Sequence, residues 1–336
     1  MNEPAQILVR ENIDLKAFRE EIVPACKPVV LKDLNKDWPA VRAGRESPRA
    51  LANYLRSLDQ GKQIIVMEGP PSIRGRIFYR EDMSGFNFER KPGMVGATLE
   101  RLLAQADDAN PSTIFIESAQ TENCLPAFAA AHSMPLVASE FQPRIWIGNR
   151  VIVRTHFDLF ENIACVVGGR RRFTLFPPEQ APNLYLGPVD FTPSGVPVSM
   201  VSLLEPDLER FPRFVEALRN AQSAELTPGD ALYIPYGWWH HVESLTPFNV
   251  LVNYWWNTAP RMGNPFGVLL HAALTLRDMP ADQRAVWREL FEHYIFSDPE
   301  VSMGHLTPEQ RGLLGPPSKK RTHEIRAILA SAFARP

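Results

Sequence analysis

Apolar positions along the chain fall into three textures. Up to about residue 142, segments with helical spacing alternate with short β-rich runs. Residues 12–26 carry apolar side chains every three to four positions after an Asn/Asp start, and the KPVVLKD that follows predicts a strand. Ser47 followed by Pro48 predicts a capped helix over 47–58, and GKQIIVMEG after it a strand stopped by Pro70-Pro71. Residues 96–108 predict an amphipathic helix, 112–118 a strand, and 121–135 a short helix ended by Pro135. The stretch 75–94 is aromatic and charged without a period, and predicts a long loop or hairpin beside a binding site.

From Pro143 the texture turns β. RIWIG and VIVRTH flank an Asn149-Arg150 turn, ACVVGG and RRFTLF flank a turn at Gly168-Gly169, and Pro177-Pro178 stops the run. The β texture returns in GDALYIP, HHVESL and FNVLVNYWW. Between the two blocks lies a Pro- and Asp-rich insertion, 179–226, with a helix expected at 207–221. Short strands in two blocks joined by a long crossover predict a mainly β protein with flanking helices, a jelly-roll or barrel rather than a parallel sheet. Past Pro260 the pattern is helical again, at 267–279, 281–296 and 322–334, with more apolar positions than isolated helices can hide. The expected organisation is therefore α/β elements over 1–142, a β core over 143–260 and a helical segment over 261–336.

Composition adds limits. The 336 residues are 45% hydrophobic with a formal net charge of −2, enough for a substantial core and without a basic field for nucleic acid. The KKR run at 319–321 is expected to be a solvated loop. No apolar stretch is long enough for a membrane span, and the first residues lack the basic flank and apolar run of a secretory signal, so a cytoplasmic protein is expected. Cys26, Cys124 and Cys165 share no metal-ligand spacing and are expected to be buried free thiols.

The chemistry concentrates in 151–176 and 227–256. His156 and Asp158, spaced i, i+2 in an extended segment, share one face, and a further histidine stands far downstream at His240 or His241. Two imidazoles and one carboxylate on three octahedral positions leave three open, the arrangement of non-haem Fe(II) oxygenases. Adjacent strand residues face opposite ways, so only one of His240 and His241 can join. There is no G-x-S-x-G, P-loop, zinc spacing or dinucleotide fingerprint to compete.

His156-Phe157-Asp158, FTLFPPEQ at 173–180, PGDALYIPYGWWHHVESL at 228–245 and VNYWW at 252–256 together resemble the cupin-like JmjC group of 2-oxoglutarate-dependent oxygenases, and within it the asparaginyl hydroxylases acting on hypoxia-inducible factor. The similarity covers most of 28–256, is close in 144–180 and 227–257, and fades in the helical tail. It implies a double-stranded β-helix core, Fe(II), and oxidation of a substrate coupled to decarboxylation of 2-oxoglutarate. The family's third ligand directly follows a Trp, which selects Trp239-His240 and leaves His241 to structure. The family's lysine for the far carboxylate of 2-oxoglutarate falls on Arg171, whose guanidinium can pair bidentately. Arg170 and Arg172 are then surface charges.

Two hydroxyl donors of the family pattern are replaced, by Val153 and Phe115, and Thr155 or Tyr79 are the candidates to compensate. Asn162 and Asn253 match polar pocket positions, and Trp255 matches a Trp near the metal. Trp238, Trp239 and Trp256 are expected to pack in the core or an interface. The resemblance implies a hydroxylase of a protein or peptide side chain, or of a small molecule, with a homodimer formed through the C-terminal helices. The alternative is a metal-binding cupin-like regulatory protein without 2-oxoglutarate turnover, favoured by the changes at Arg171, Val153 and Phe115.

Overall fold

A computed structural model describes residues 3–257 and 265–333. The chain divides into two compact units, Met1–Asn257 and Thr258–Pro336. In the first, the strands are β1 (Ala5–Gln6), β2 (Leu8–Glu11), β3 (Val29–Lys32), β4 (Gln63–Gly69), β5 (Arg76–Ile77), β6 (Glu89–Met94), β7 (Thr113–Gln120) and β8 (Arg144–Gly148). They continue as β9 (Ile152–His156), β10 (Glu161–Gly168), β11 (Arg171–Phe176), β12 (Gln222–Leu226), β13 (Ala231–Ile234), β14 (Trp239–Ser244) and β15 (Asn249–Trp256).

The last eight strands form two facing antiparallel sets, β12-β11-β14-β9 and β13-β10-β15-β8. This is the jelly-roll that alternating short strands predict, closed on a core of Ala164, Val166, Phe173, Leu175, Leu232 and Leu251 contributed by both sheets. Earlier strands widen it. β3 and β2 extend one edge of the larger sheet, and β7, β4 and β6 extend the other, so that nine strands run β2-β3-β13-β10-β15-β8-β7-β4-β6. β1 and β5 add parallel edges to the smaller sheet. The segment before residue 143 is thus continuous with the core sheets, because its strands pair with residues far away in sequence, which periodicity does not encode.

The outer face of the larger sheet is covered by the helices Pro39–Glu46, Pro48–Leu58 and Val95–Ala104, whose Val41, Leu51, Leu55 and Leu99 are fully buried. Ser47 caps the second helix as its sequence predicts, accepting from Ala50 N at 3.0 Å, with Pro48 at the first helical position. The turn between β10 and β11 uses Gly169 at φ +75°, where a Cβ would lie 2.3 Å from Thr246 Oγ1.

Several details depart from the sequence expectation. The insertion after 179 ends earlier, since Gln222–Leu226 is a core strand. Its helix is only Phe214–Arg219, because Pro212 lacks an N–H and disfavours helix before it. The helix over 12–26 is one short turn, Leu15–Ala17, followed by a π turn, Phe18–Ile22. Two short helical segments, Thr121–Cys124 and Phe128–Ala131, replace the single one expected there, with Pro126 between them. Cys124 and Cys165 are buried, but Cys26 is exposed: it sits at φ +49° in a turn that carries its side chain away from the core. Lys319-Lys320-Arg321 opens a helix, Lys319–Phe333, rather than a loop.

The second unit, taken alone, has the helices Pro265–Leu276, Ala281–Phe291, Pro299–Met303 and Lys319–Phe333 among its described residues. Val268, Leu274, Phe296 and Val301 are 61–79% exposed. No described helix is long and apolar enough to cross a membrane.

Candidate metal centre and adjoining cavity

β9 and β14 are neighbours in the smaller sheet, and His156 lies directly opposite His240. Two residues further on, beyond the end of β9, comes Asp158. One ligand atom from each of His156, Asp158 and His240 lies within 4.8 Å of the others. Asp158 Oδ2 is 3.6 Å from His240 Nε2, and the two imidazole centroids are 4.3 Å apart. Each ring is held from behind. His156 Nδ1 is 2.8 Å from Arg154 O and His240 Nδ1 is 3.0 Å from Trp238 O. Carbonyls accept only, so Nδ1 carries the proton in both rings and Nε2 is left with a bare lone pair.

Burial determines the charge of these groups. It pushes His156 down to about 4, helped by the neighbouring His240, and pushes His240 down to about 4 as well, so both are neutral near pH 7. Asp158 is raised by the same desolvation. Two neutral imidazoles and a buried carboxylate, converging on one point with no cation of the chain between them, are a donor set that a divalent transition metal satisfies. His241 follows on the opposite face of β14. It opposes Thr174, and neither of its ring nitrogens has a hydrogen-bond partner among the described residues.

A slot with a cavity volume of ≈ 40 Å³ runs from the triad into the barrel. It is narrow. Asn162 of β10 and Asn253 of β15 both line it and are linked: Asn253 Nδ2 donates to Asn162 Oδ1 at 2.7 Å, and Asn162 Nδ2 donates to Asp158 Oδ2 at 3.3 Å. This relay leaves Asn253 Oδ1 without a partner among the described residues.

At the other end stands Arg171, 2% exposed. Its Nε and Nη2 are buried and unpartnered among the described residues, and desolvation pushes the guanidinium down to about 9. Those two nitrogens form one edge of the guanidinium, the edge that grips a carboxylate with two parallel bonds. A buried cation left without a counter-ion is costly, so the cavity fits an anion there.

Val153 and Phe115 line the slot, but the two candidates to replace their missing hydroxyls do not. Thr155 is buried in a β-bulge: Val153 opposes Val242 while His156 opposes His240, so β9 places two residues, Arg154 and Thr155, against the single His241. The bulge keeps Val153 and His156 both facing inward at a spacing of three, while Thr155, next to His156, faces out of the slot, and its carbonyl accepts from Ser199 N. Tyr79 donates to Phe191 O at 2.6 Å, in an aromatic cluster with Phe78 and Phe86.

Trp255 lines the slot, stacked on Phe160 with the Arg144 guanidinium 5.5 Å from its ring. Trp238, Trp239 and Trp256 are in apolar clusters. Trp146, which strand patterning marks only as another large β residue, is a cavity residue that sequence reasoning passes over. A wider surface cleft of ≈ 580 Å³ beside β4 and β6 contains none of these groups.

Comparison with known proteins places these features in context. A family profile described as "Cupin-like domain" matches residues 15–262. HSPB1-associated protein 1 of Rattus norvegicus is 30% identical over 258 residues, covering 70% of this chain and 50% of that protein. Lysine-specific demethylase JMJ31 of Arabidopsis thaliana is 40% identical over 104 residues, covering 31% of this chain and 18% of that protein. The tRNA wybutosine-synthesizing protein 5 of Mus musculus is 39% identical over 106 residues, covering 32% and 30%. The chain spans about half the length of the HSPB1-associated proteins it matches.

Proposed function

The chain belongs to the cupin-like (JmjC) domain family, whose members are often Fe(II)- and 2-oxoglutarate-dependent oxygenases, and from that premise we propose that it is itself such a dioxygenase, a hydroxylase of a protein or peptide side chain. One observation carries the reading. A single narrow slot has a His-Asp-His convergence at one end and an unpartnered buried guanidinium edge at the other. A protein that only bound a metal would have no use for a buried cation at that distance from it. A 2-oxo dicarboxylate needs both ends.

In this reading His156 Nε2, Asp158 and His240 Nε2 hold Fe(II), which together with 2-oxoglutarate and oxygen supplies an oxidant for an unactivated C–H bond, releasing succinate and carbon dioxide. The chain's own residues do the positioning. The backbone carbonyls of Arg154 and Trp238 fix the two imidazoles in the tautomer that presents Nε2. Asn162, braced by Asn253, holds one oxygen of Asp158 and so limits how the carboxylate can turn. Arg171 binds the far carboxylate through Nε and Nη2, setting the register of the cosubstrate along the slot. Phe173, Val242 and Leu251 line the walls with carbon and exclude water between the two ends, which strengthens both charged contacts.

Two relatives are named for acting on lysine and on tRNA, each matched over about a third of this chain, so the choice of a protein side chain rests on the absence of a basic field rather than on them. Iron-loaded protein given 2-oxoglutarate and oxygen should release succinate, at a basal rate alone and faster with its substrate. Succinate no higher than in Asp158→Ala under any condition would leave the metal-binding, non-catalytic alternative.

The exposed apolar residues of the C-terminal helices fit burial against a second copy of this chain. Light scattering at micromolar concentration should give twice the chain mass; the mass of one chain would remove that part of the reading.

A further inference from the structure

A carboxylate has about four acceptor positions, and the Nε/Nη2 edge of Arg171 fills two of them. Val153 and Phe115 offer only carbon to the rest. Beside them in the slot is an N–H without an acceptor among the described residues. The Trp146 ring lies 5.9 Å from that of Phe115, opposes Leu251 of β15, and lines the slot together with Phe115, Val153 and Leu251. Its Nε1 is buried and has no hydrogen-bond partner among the described residues. Folded proteins seldom leave a buried indole N–H unpaired, and one that lines a cavity is explained by a ligand.

Register places this group at the Arg171 end. The inward residues of β11 and β14 run from Leu175 opposite His240, through Phe173 opposite Val242, to Arg171 opposite Ser244. Val153 opposes Val242 and so lies on the Arg171 side of the triad, and Trp146 opposes Leu251, four residues along β15 from the Trp255 that faces Asn162. Trp255 Nε1 also lacks a partner among the described residues, but Trp255 opposes Asn162, the residue hydrogen-bonded to Asp158, and so belongs to the metal end.

We propose that Trp146 Nε1 donates to the far carboxylate of the 2-oxo dicarboxylate, replacing the hydroxyls missing at positions 153 and 115. This rests on the oxygenase reading and adds to it a residue that neither the triad nor Arg171 requires. The carboxylate would then take two bonds from a cation and one from an indole, a set that favours a planar, singly branched anion end over a phosphate.

The test is a titration of the full-length, Zn(II)-loaded chain with 2-oxoglutarate, followed by indole ¹⁵N–¹H spectra and by calorimetry. The chain has seven tryptophans, and the Trp146 signal is identified by its contacts to the Phe115 ring and by its loss in Trp146→Phe. The Trp146 Nε1–H signal should move on saturation. Trp146→Phe should raise the dissociation constant roughly ten- to a hundredfold, and Val153→Thr in that background should recover part of the loss by returning a hydroxyl donor. The wild-type spectra need no variant to fold. If wild type binds 2-oxoglutarate while the Trp146 signal stays in place, or if Trp146→Phe binds as tightly as wild type, the proposal is overturned and the oxygenase reading stands. If wild type binds no 2-oxoglutarate at all, both fall.

Discussion

His240→Ala should abolish tight metal binding, while His241→Ala should keep about one ion per chain. The two side chains are adjacent, similarly buried and chemically identical, so the pair isolates direction as the only variable. His240 meets His156 and Asp158 with Nε2 bare, whereas His241 opposes Thr174 on the other face of the strand. Losing one of three ligands should cost more than the roughly 10–100-fold that changes behind the ligands usually cost. His241→Ala removes a buried ring and should lower stability without touching the site. Elemental analysis after dialysis of Mn(II)- or Co(II)-loaded protein reads the difference. Equal metal content in the two variants would contradict the assignment.

Arg171→Ala should weaken 2-oxoglutarate binding by roughly ten- to a hundredfold with metal affinity unchanged. A bidentate, charge-assisted pair is worth about 1.5–3 kcal/mol, and each 1.4 kcal/mol is tenfold. The slot is narrow and Arg171 is 2% exposed, so the contact is little screened by bulk water. A second consequence has the opposite sign. In the absence of ligand Arg171 is a buried cation whose Nε and Nη2 have no partner among the described residues, and its removal relieves a desolvation cost. Arg171→Met, which keeps most of the side-chain volume, should therefore melt at or above the wild-type temperature when no ligand is present. Wild type at a ligand concentration of about 100 times its dissociation constant should gain about 2.7 kcal/mol, a gain the variant lacks at that concentration. Lower stability of ligand-free Arg171→Met, together with unchanged 2-oxoglutarate affinity, would mean that the guanidinium serves the fold and not the site.

How much of this can be read from sequence depends on the range of the interaction involved. The i, i+2 spacing of His156 and Asp158 implies a shared face, and the alternation of RRFTLF implies that Arg171, Phe173 and Leu175 point one way; both are local, and the structure has both arrangements. The jelly-roll follows from many short strands in two blocks. The same rule of alternation fails between Val153 and His156, which both face inward at a spacing of three because a bulge opposite His241 adds a residue that no propensity announces. It also fails to show that β2, β3, β4, β6 and β7 continue the core sheet, since their pairing partners are distant in sequence. Cys26 resembles any small apolar residue until its backbone is seen at positive φ. Trp146 is the sharpest case. A tryptophan in RIWIG reads as packing, and only a three-dimensional account of hydrogen bonds exposes its Nε1 as unpartnered beside Val153 and Phe115.

The most direct test of the account is a crystal structure grown without oxygen in the presence of Fe(II) and 2-oxoglutarate. One iron should sit on His156 Nε2, Asp158 and His240 Nε2, with the far carboxylate of 2-oxoglutarate on Nε and Nη2 of Arg171. Iron bound through His241 or elsewhere, or 2-oxoglutarate absent from the slot with Arg171 still unpartnered, would contradict it.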